Sequence, residues 1–163
     1  MSWINVFENT GELVVKYSYR ITKYGHFNNE CSIDEWTSFH DVGKTVSEED
    51  YLAVEDDYVQ TLISICECLG VSSLMICGLE LNSECESYFE GQEIDRDRLP
   101  SVVKAVLREE IWCKLNSPVC EFHFGYDFYM YLISDINADP CFPREKSRLN
   151  FEIFQSPYID QRV

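Results

Sequence analysis

The chain has 163 residues, 45% of them apolar and 14% aromatic, which is enough for one domain with its own core and too much for a disordered segment. Asp and Glu number 29 against 13 Lys and Arg, a formal net charge of -16 that disfavours nucleic acid and anionic membrane as partners and favours a basic protein. No run approaches the ~18 apolar residues of a membrane span, and the opening MSWINVFENTGELVV has neither the basic start nor the apolar core of a secretion signal, so a cytoplasmic location is expected.

Trp3, Asn5 and Phe7 alternate as a short strand does, and Asn9-Thr10-Gly11 marks a turn. Leu13, Val15, Tyr17, Tyr19 and Ile21 share one face of a second strand over Leu13–Tyr24, so the N-terminus reads as a β-hairpin. After a loop at Gly25–Glu30, a brief helical turn is expected over Asp34–Phe39, capped by Ser32, with Trp36 and Phe39 on one side. Ser47 then opens the clearest helix, Ser47–Leu69. It is a good N-cap, and Glu48, Glu49 and Asp50 complement the positive end of the helix dipole. Val59, Leu62, Cys66 and Leu69 form a buried stripe, and Gly70 suits the C-terminal cap.

Ser72–Leu81 reads as a strand with a possible bulge at Gly78, and Glu84–Asp97 as an acidic connection. Pro100 starts a second helix, expected to run Pro100–Leu115 with Val103, Val106, Leu107 and Ile111 as its stripe and Trp112 partly exposed. The aromatic stretch Val119–Ser134 has two apolar runs, Val119–Phe124 and Phe128–Ile133, around a Gly125-Tyr126-Asp127 break. It reads as a central hairpin, or as one long strand bulged at Gly125. A loop with Pro140 and Pro143 leads to a last strand, Leu149–Phe154. The expected fold is α+β: a single domain, residues 1–163, with a mainly antiparallel sheet and at least two packed helices.

Nothing in the chain matches a phosphate-binding loop, a dinucleotide fingerprint, a nucleophile elbow or a zinc-binding H-E-x-x-H. No C-x-x-C occurs among the eight cysteines, most of which are expected to be small, buried, reduced hydrophobes. Cys120 and His123 lie three apart in a strand and so face opposite sides, with His123 expected toward solvent. A catalytic thiolate needs positive surroundings that this sequence lacks. No enzyme activity, metal or cofactor is expected. The acidic residues fall in two clusters. Glu55, Asp56 and Asp57 extend the acidic start of the first helix, as either a solvated face or one wall of a docking surface. Glu84, Glu86, Glu90 and Glu93 surround Tyr88 and Phe89, a mixture that suits a cationic partner and an ordinary loop equally well.

Two segments carry a family resemblance. Phe122-His123-Phe124-Gly125-Tyr126-Asp127-Phe128-Tyr129-Met130-Tyr131 resembles the F-x-F-G-Y-D-[FY]-Y-M-Y pattern of small immunity proteins. These guard bacteria against toxins of contact-dependent growth inhibition and other polymorphic toxin systems. Leu149-Asn150-Phe151-Glu152-Ile153-Phe154-Gln155-Ser156-Pro157-Tyr158 is similar to the companion ending L-x-[FV]-E-x-F-x-S-P-Y, with Ile153 where a second acidic residue is expected. Together they cover about an eighth of the chain. The resemblance implies a cytoplasmic protein that binds one cognate toxin domain, often a nuclease, and blocks it. Carboxylates can stand in for the phosphates a nuclease holds, with tyrosines as rigid anchors. The candidate contacts are Glu55, Asp56, Asp57, Glu84, Glu86, Tyr88, Glu90, Glu93, Asp127, Tyr129 and Tyr131. Tyr126 and Met130 are expected to serve the fold. The alternative is a DNA-mimic inhibitor of a DNA-binding or restriction enzyme.

Overall fold

The computed structural model describes residues 4–7, 13–25, 35–84 and 87–159, with side chains from Lys16 onward. Among the described residues eight strands form one antiparallel sheet: β1 (Ile4–Phe7), β2 (Leu13–Thr22), β3 (Ser73–Leu81), β4 (Glu93–Asp95), β5 (Ile111–Asn116), β6 (Cys120–Phe124), β7 (Met130–Ser134) and β8 (Asn150–Ile153). Their order is β1-β2-β7-β6-β5-β3-β4. β8 shares the β2 edge, pairing along Tyr19–Thr22 while β1 pairs along Leu13–Lys16. With α1 (Glu48–Leu69) and α2 (Leu99–Leu107), the fold is α+β.

Strand register sorts the side chains into alternating rows. Tyr19, Leu132, Phe122, Leu115 and Ile76 stand opposite one another across five strands, all buried. They join one core with the apolar stripes of both helices, including Tyr58, Leu62 and Ile65 of α1 and Val102, Val103 and Val106 of α2. The next row runs Glu152, Arg20, Tyr131, His123, Lys114 and Cys77. The segment 154–159 ties back to this side of β2: Phe154 N–H donates to the Ser18 carbonyl and Ser156 N–H to the Ser18 hydroxyl.

The first helix follows its sequence signals. Ser47 accepts from the Asp50 N–H at 3.1 Å. At the other end Gly70, at φ 72°, takes the left-handed conformation, and Val71 N–H bonds the Cys66 carbonyl at 2.8 Å. The bulge expected at Gly78 is present as a register shift between Cys77 and Glu80. There the Glu90 carboxylate accepts the N–H groups of Gly78 and Leu79 at 2.9 and 2.7 Å. The aromatic stretch is a hairpin, β6–β7, as its first reading has it.

Several expectations are corrected. The second helix ends at Leu107 rather than Leu115. Glu109 has φ 62°, which stops the helix, and Ile111, Cys113 and Leu115 alternate as the buried face of β5. Ile111 lies four residues beyond Leu107, so a strand residue imitated the helical stripe. The connection Glu84–Asp97 contains β4, whose Ile94 is buried opposite Leu74. The helical turn lies at Phe39–Asp41 and is capped by Ser38, not Ser32; Asp41 returns the capping bond. Ser32 and Asp34 lie outside the described residues. Trp36 and Phe39 do share a side, both packing on Tyr51 at ring distances of 5.5 and 5.2 Å.

His123 is not on a solvent side: it is 2% exposed, packed edge-on against Tyr158. Not every cysteine is reduced. Cys68, on the outside of α1, is bonded to Cys141 in the β7–β8 connection, while Cys66, Cys77, Cys113 and Cys120 are free. The two-residue spacing turns Cys66 into the core and leaves Cys68 on the surface where that connection crosses the helix.

Candidate functional site

The β6–β7 hairpin closes through Gly125 N–H to the Tyr129 carbonyl at 2.7 Å and Tyr129 N–H to the Tyr126 carbonyl at 3.3 Å. Asp127 and Phe128, at the centre of that turn, have φ 58° and 64°, the sign a type I′ hairpin turn requires. Asp tolerates this region, whereas a bulky residue there is strained by about 1–3 kcal/mol. The surroundings hold it in place. The Phe128 ring is buried against Trp36 (4.9 Å), Tyr58 (5.9 Å) and Tyr51 (6.2 Å). The Tyr58 hydroxyl donates to the Phe128 carbonyl at 2.5 Å and accepts the Lys23 N–H at 2.9 Å. The Tyr24 hydroxyl donates to the Asp127 carbonyl at 2.7 Å. A Cβ at Gly125 would lie 3.2 Å from the Tyr131 ring and 3.3 Å from the Tyr129 Cβ, so one of these neighbours would have to shift by a few tenths of an ångström to admit a side chain. Tyr126 is left 84% exposed.

Beside this turn lies a groove of about 860 Å³. Its walls are the hairpin turn, the α2–β5 turn and the end of β3, with Thr37 and His40 at one side and Tyr158 at another. Among the described residues four carboxylates line it: Glu80, Glu109, Glu110 and Asp127. Glu109 is engaged by His40 at 3.3 Å and Ser38 at 3.2 Å. Those of Glu80, Glu110 and Asp127 make no hydrogen bond or ion pair among the described residues. Trp112, Tyr126, Tyr129 and Tyr158 supply aromatic surface, and Trp112 is fixed by donating its indole N–H to the Phe124 carbonyl at 2.8 Å. Among the described residues Arg108 is the one lining arginine, and it is already committed. It forms a bidentate pair with Glu55 at 2.7 and 2.8 Å, which holds its guanidinium more firmly charged than usual. Among the described residues the open charge of the groove is therefore negative.

The candidate residues separate accordingly. Asp127 and Tyr129 line the groove, whereas Tyr131 does not. Tyr131 belongs to an adjoining aromatic ladder that shares Tyr129, at 6.5 Å, and Tyr158, at 5.8 Å, with the groove and extends to Phe154 at 6.0 Å. Glu55 is no docking residue: it is 1% exposed, clamped by Arg108 and the Tyr51 hydroxyl beneath the groove. Its position in the helical repeat carries it to the core face, four residues from buried Tyr51. Asp57 pairs with Arg148 at 2.7 Å, and Asp56 faces solvent beside Gln60. Glu90 is spent on the bulge, Glu93 accepts from the Ser73 hydroxyl, and Tyr88 packs partly against the core. Glu84 is exposed, and Glu86 lies outside the described residues. Met130 is fully buried, as expected, but Tyr126 serves no packing role. Sequence reasoning missed Glu80, Glu110, Trp112 and Tyr158. Glu109-Glu110 was hidden inside the overextended helix, and the exposed end of β3 has no local signal.

No protein-family model, curated protein or solved structure matches this chain.

Among the described residues no group of three or more His, Cys, Asp and Glu is arranged to hold a metal ion. Burial pushes the thiols of Cys66 and Cys113 up to about 12 and that of Cys120 to about 11, so they stay protonated at neutral pH and make poor nucleophiles. His123 Nε2 lies 3.1 Å from Glu121, and its Nδ1 is buried without a partner. No helix among the described residues is long and apolar enough to cross a membrane. Among the described residues the groove brings together three carboxylates without a partner, the exposed ring of Tyr126 and the half-buried rings of Trp112, Tyr129 and Tyr158.

Proposed function

We propose that this chain is an immunity protein of a bacterial contact-dependent inhibition or related polymorphic toxin system. It acts in the cytoplasm, binding a basic cognate toxin domain, a nuclease by preference, and occluding it. The observation that supports this most is the groove in which the F-G-Y-D-F-Y turn meets the unpaired carboxylates of Glu80, Glu110 and Asp127. A cationic active-site surface finds there carboxylates in place of phosphates, and the net charge of -16 accelerates the encounter. The chain itself performs no chemistry in this reading.

Co-expression with the toxin domain encoded beside its gene is the direct test. The expected result is restored growth and a complex that survives purification. Cells that die despite abundant folded protein would sink the proposal.

A further inference from the structure

We infer that Tyr126 is the anchor with which this protein grips its partner, its ring entering a pocket lined by Lys or Arg on a basic protein surface. The inference rests on the immunity reading and adds to it the residue and the chemistry of the contact. Tyr126 is the most exposed large aromatic side chain among the described residues, at 84%, and it sits at the rim of the groove beside Asp127. An exposed tyrosine on a mobile loop would carry little meaning. This one stands on a turn whose next two residues are both left-handed and both held, Asp127 through the Tyr24 hydroxyl and Phe128 through the Tyr58 hydroxyl and its buried ring. The direction of Phe128 into the core fixes the turn and leaves Tyr126 displayed. A backbone already fixed loses little entropy on binding, and a tyrosine then has only two side-chain torsions to order. Interface hot spots favour such rings surrounded by contacts that exclude water. The cationic character of the partner follows from the open carboxylates of Glu80, Glu110 and Asp127 on the same groove, together with the cation-binding face of the tyrosine ring itself.

The experiment compares wild type, Tyr126→Ala and Tyr126→Lys for binding to the purified toxin domain encoded beside the gene, with thermal melting as the folding control. Because the side chain is exposed, Tyr126→Ala is expected to melt as wild type does while binding more than about tenfold more weakly. Tyr126→Lys, which sets a cation against cations, is expected to bind at least as weakly as Tyr126→Ala. Wild type binding with both variants within about tenfold of it overturns the anchor and leaves the immunity reading standing. Absence of any wild-type complex overturns the immunity reading and the anchor with it.

Discussion

Replacing Arg108 with alanine strands the Glu55 carboxylate, 1% exposed, with only the Tyr51 hydroxyl at 3.1 Å to satisfy it. Removing one member of a buried pair costs about 3–5 kcal/mol. Urea denaturation of Arg108→Ala should show a loss of that order, and a loss under about 1 kcal/mol would mean that water reaches Glu55. Tyr58→Phe is a smaller change: it keeps the ring and deletes the hydroxyl that donates to the Phe128 carbonyl and accepts the Lys23 N–H. A loss of about 1–3 kcal/mol is expected for a buried carbonyl left without its donor.

The buried thiols set a pH dependence. Cys66, Cys113 and Cys120 are raised in the folded state from 9.0 to about 12, 12 and 11. A group raised in this way contributes its full stability below the unfolded value and loses it as pH rises through the folded value. Tyr51 and Tyr58, also raised by burial, act in the same direction. The urea midpoint should therefore hold steady to about pH 8.5 and fall above it. A midpoint that rises between pH 9 and 11 would contradict this burial.

At the scale of elements, legibility followed the local signals. α1 was readable at both ends because Ser47 and Gly70 do in the structure what such residues do at helix ends. The β6–β7 hairpin was readable because Gly125 interrupts two aromatic runs. The failure at α2 has a physical cause: Leu107 and Ile111 fit helical spacing, while the left-handed Glu109 that separates them carries no glycine or proline to announce it. Glu55, Asp56 and Asp57 look alike in sequence, yet the first lies on the core face, the third is paired with Arg148 and only the second is open. That difference depends on Arg108 and Arg148, 53 and 91 residues away.

The Cys68–Cys141 bond ties α1 to the β7–β8 connection across 73 residues. A disulfide closing a loop of that length stabilises the folded chain by about 2–5 kcal/mol. Cys141→Ser should lose about that much under oxidising conditions and almost nothing in the presence of a thiol reductant. A loss independent of reductant would assign the effect to packing of Cys141 instead. The connection has other anchors, with Phe142 stacked on Phe151 at 4.6 Å and Thr61 bonded to Ser147 at 3.0 Å, so the reduced protein is expected to keep its fold.

Across the whole molecule, the charge of -16 is visible in the composition, but where it acts is not. Pairing decides that. Arg20, Arg96, Arg108, Arg144 and Arg148 each neutralise a carboxylate of the chain itself, which removes Glu152, Glu67, Glu55, Asp139 and Asp57 from any list of free charges. Around the groove, Glu80, Glu110 and Asp127 remain open, gathered from β3, the α2–β5 turn and the hairpin turn. Only the third of them lies in the stretch whose motif resembles the immunity proteins. We propose that this groove is the face that binds a basic toxin domain. The most direct measurement is the affinity of the purified chain for the purified toxin domain encoded beside its gene, at low and high salt, for wild type and for the combined Glu80→Lys, Glu110→Lys and Asp127→Lys variant. Glu145→Lys, on the β7–β8 connection, serves as the control. The expected result is tight wild-type binding that weakens with salt, the same for Glu145→Lys, and loss of binding in the groove variant without loss of fold. Wild-type affinity retained in the groove variant, or no wild-type complex at all, would show that the groove is not the binding face.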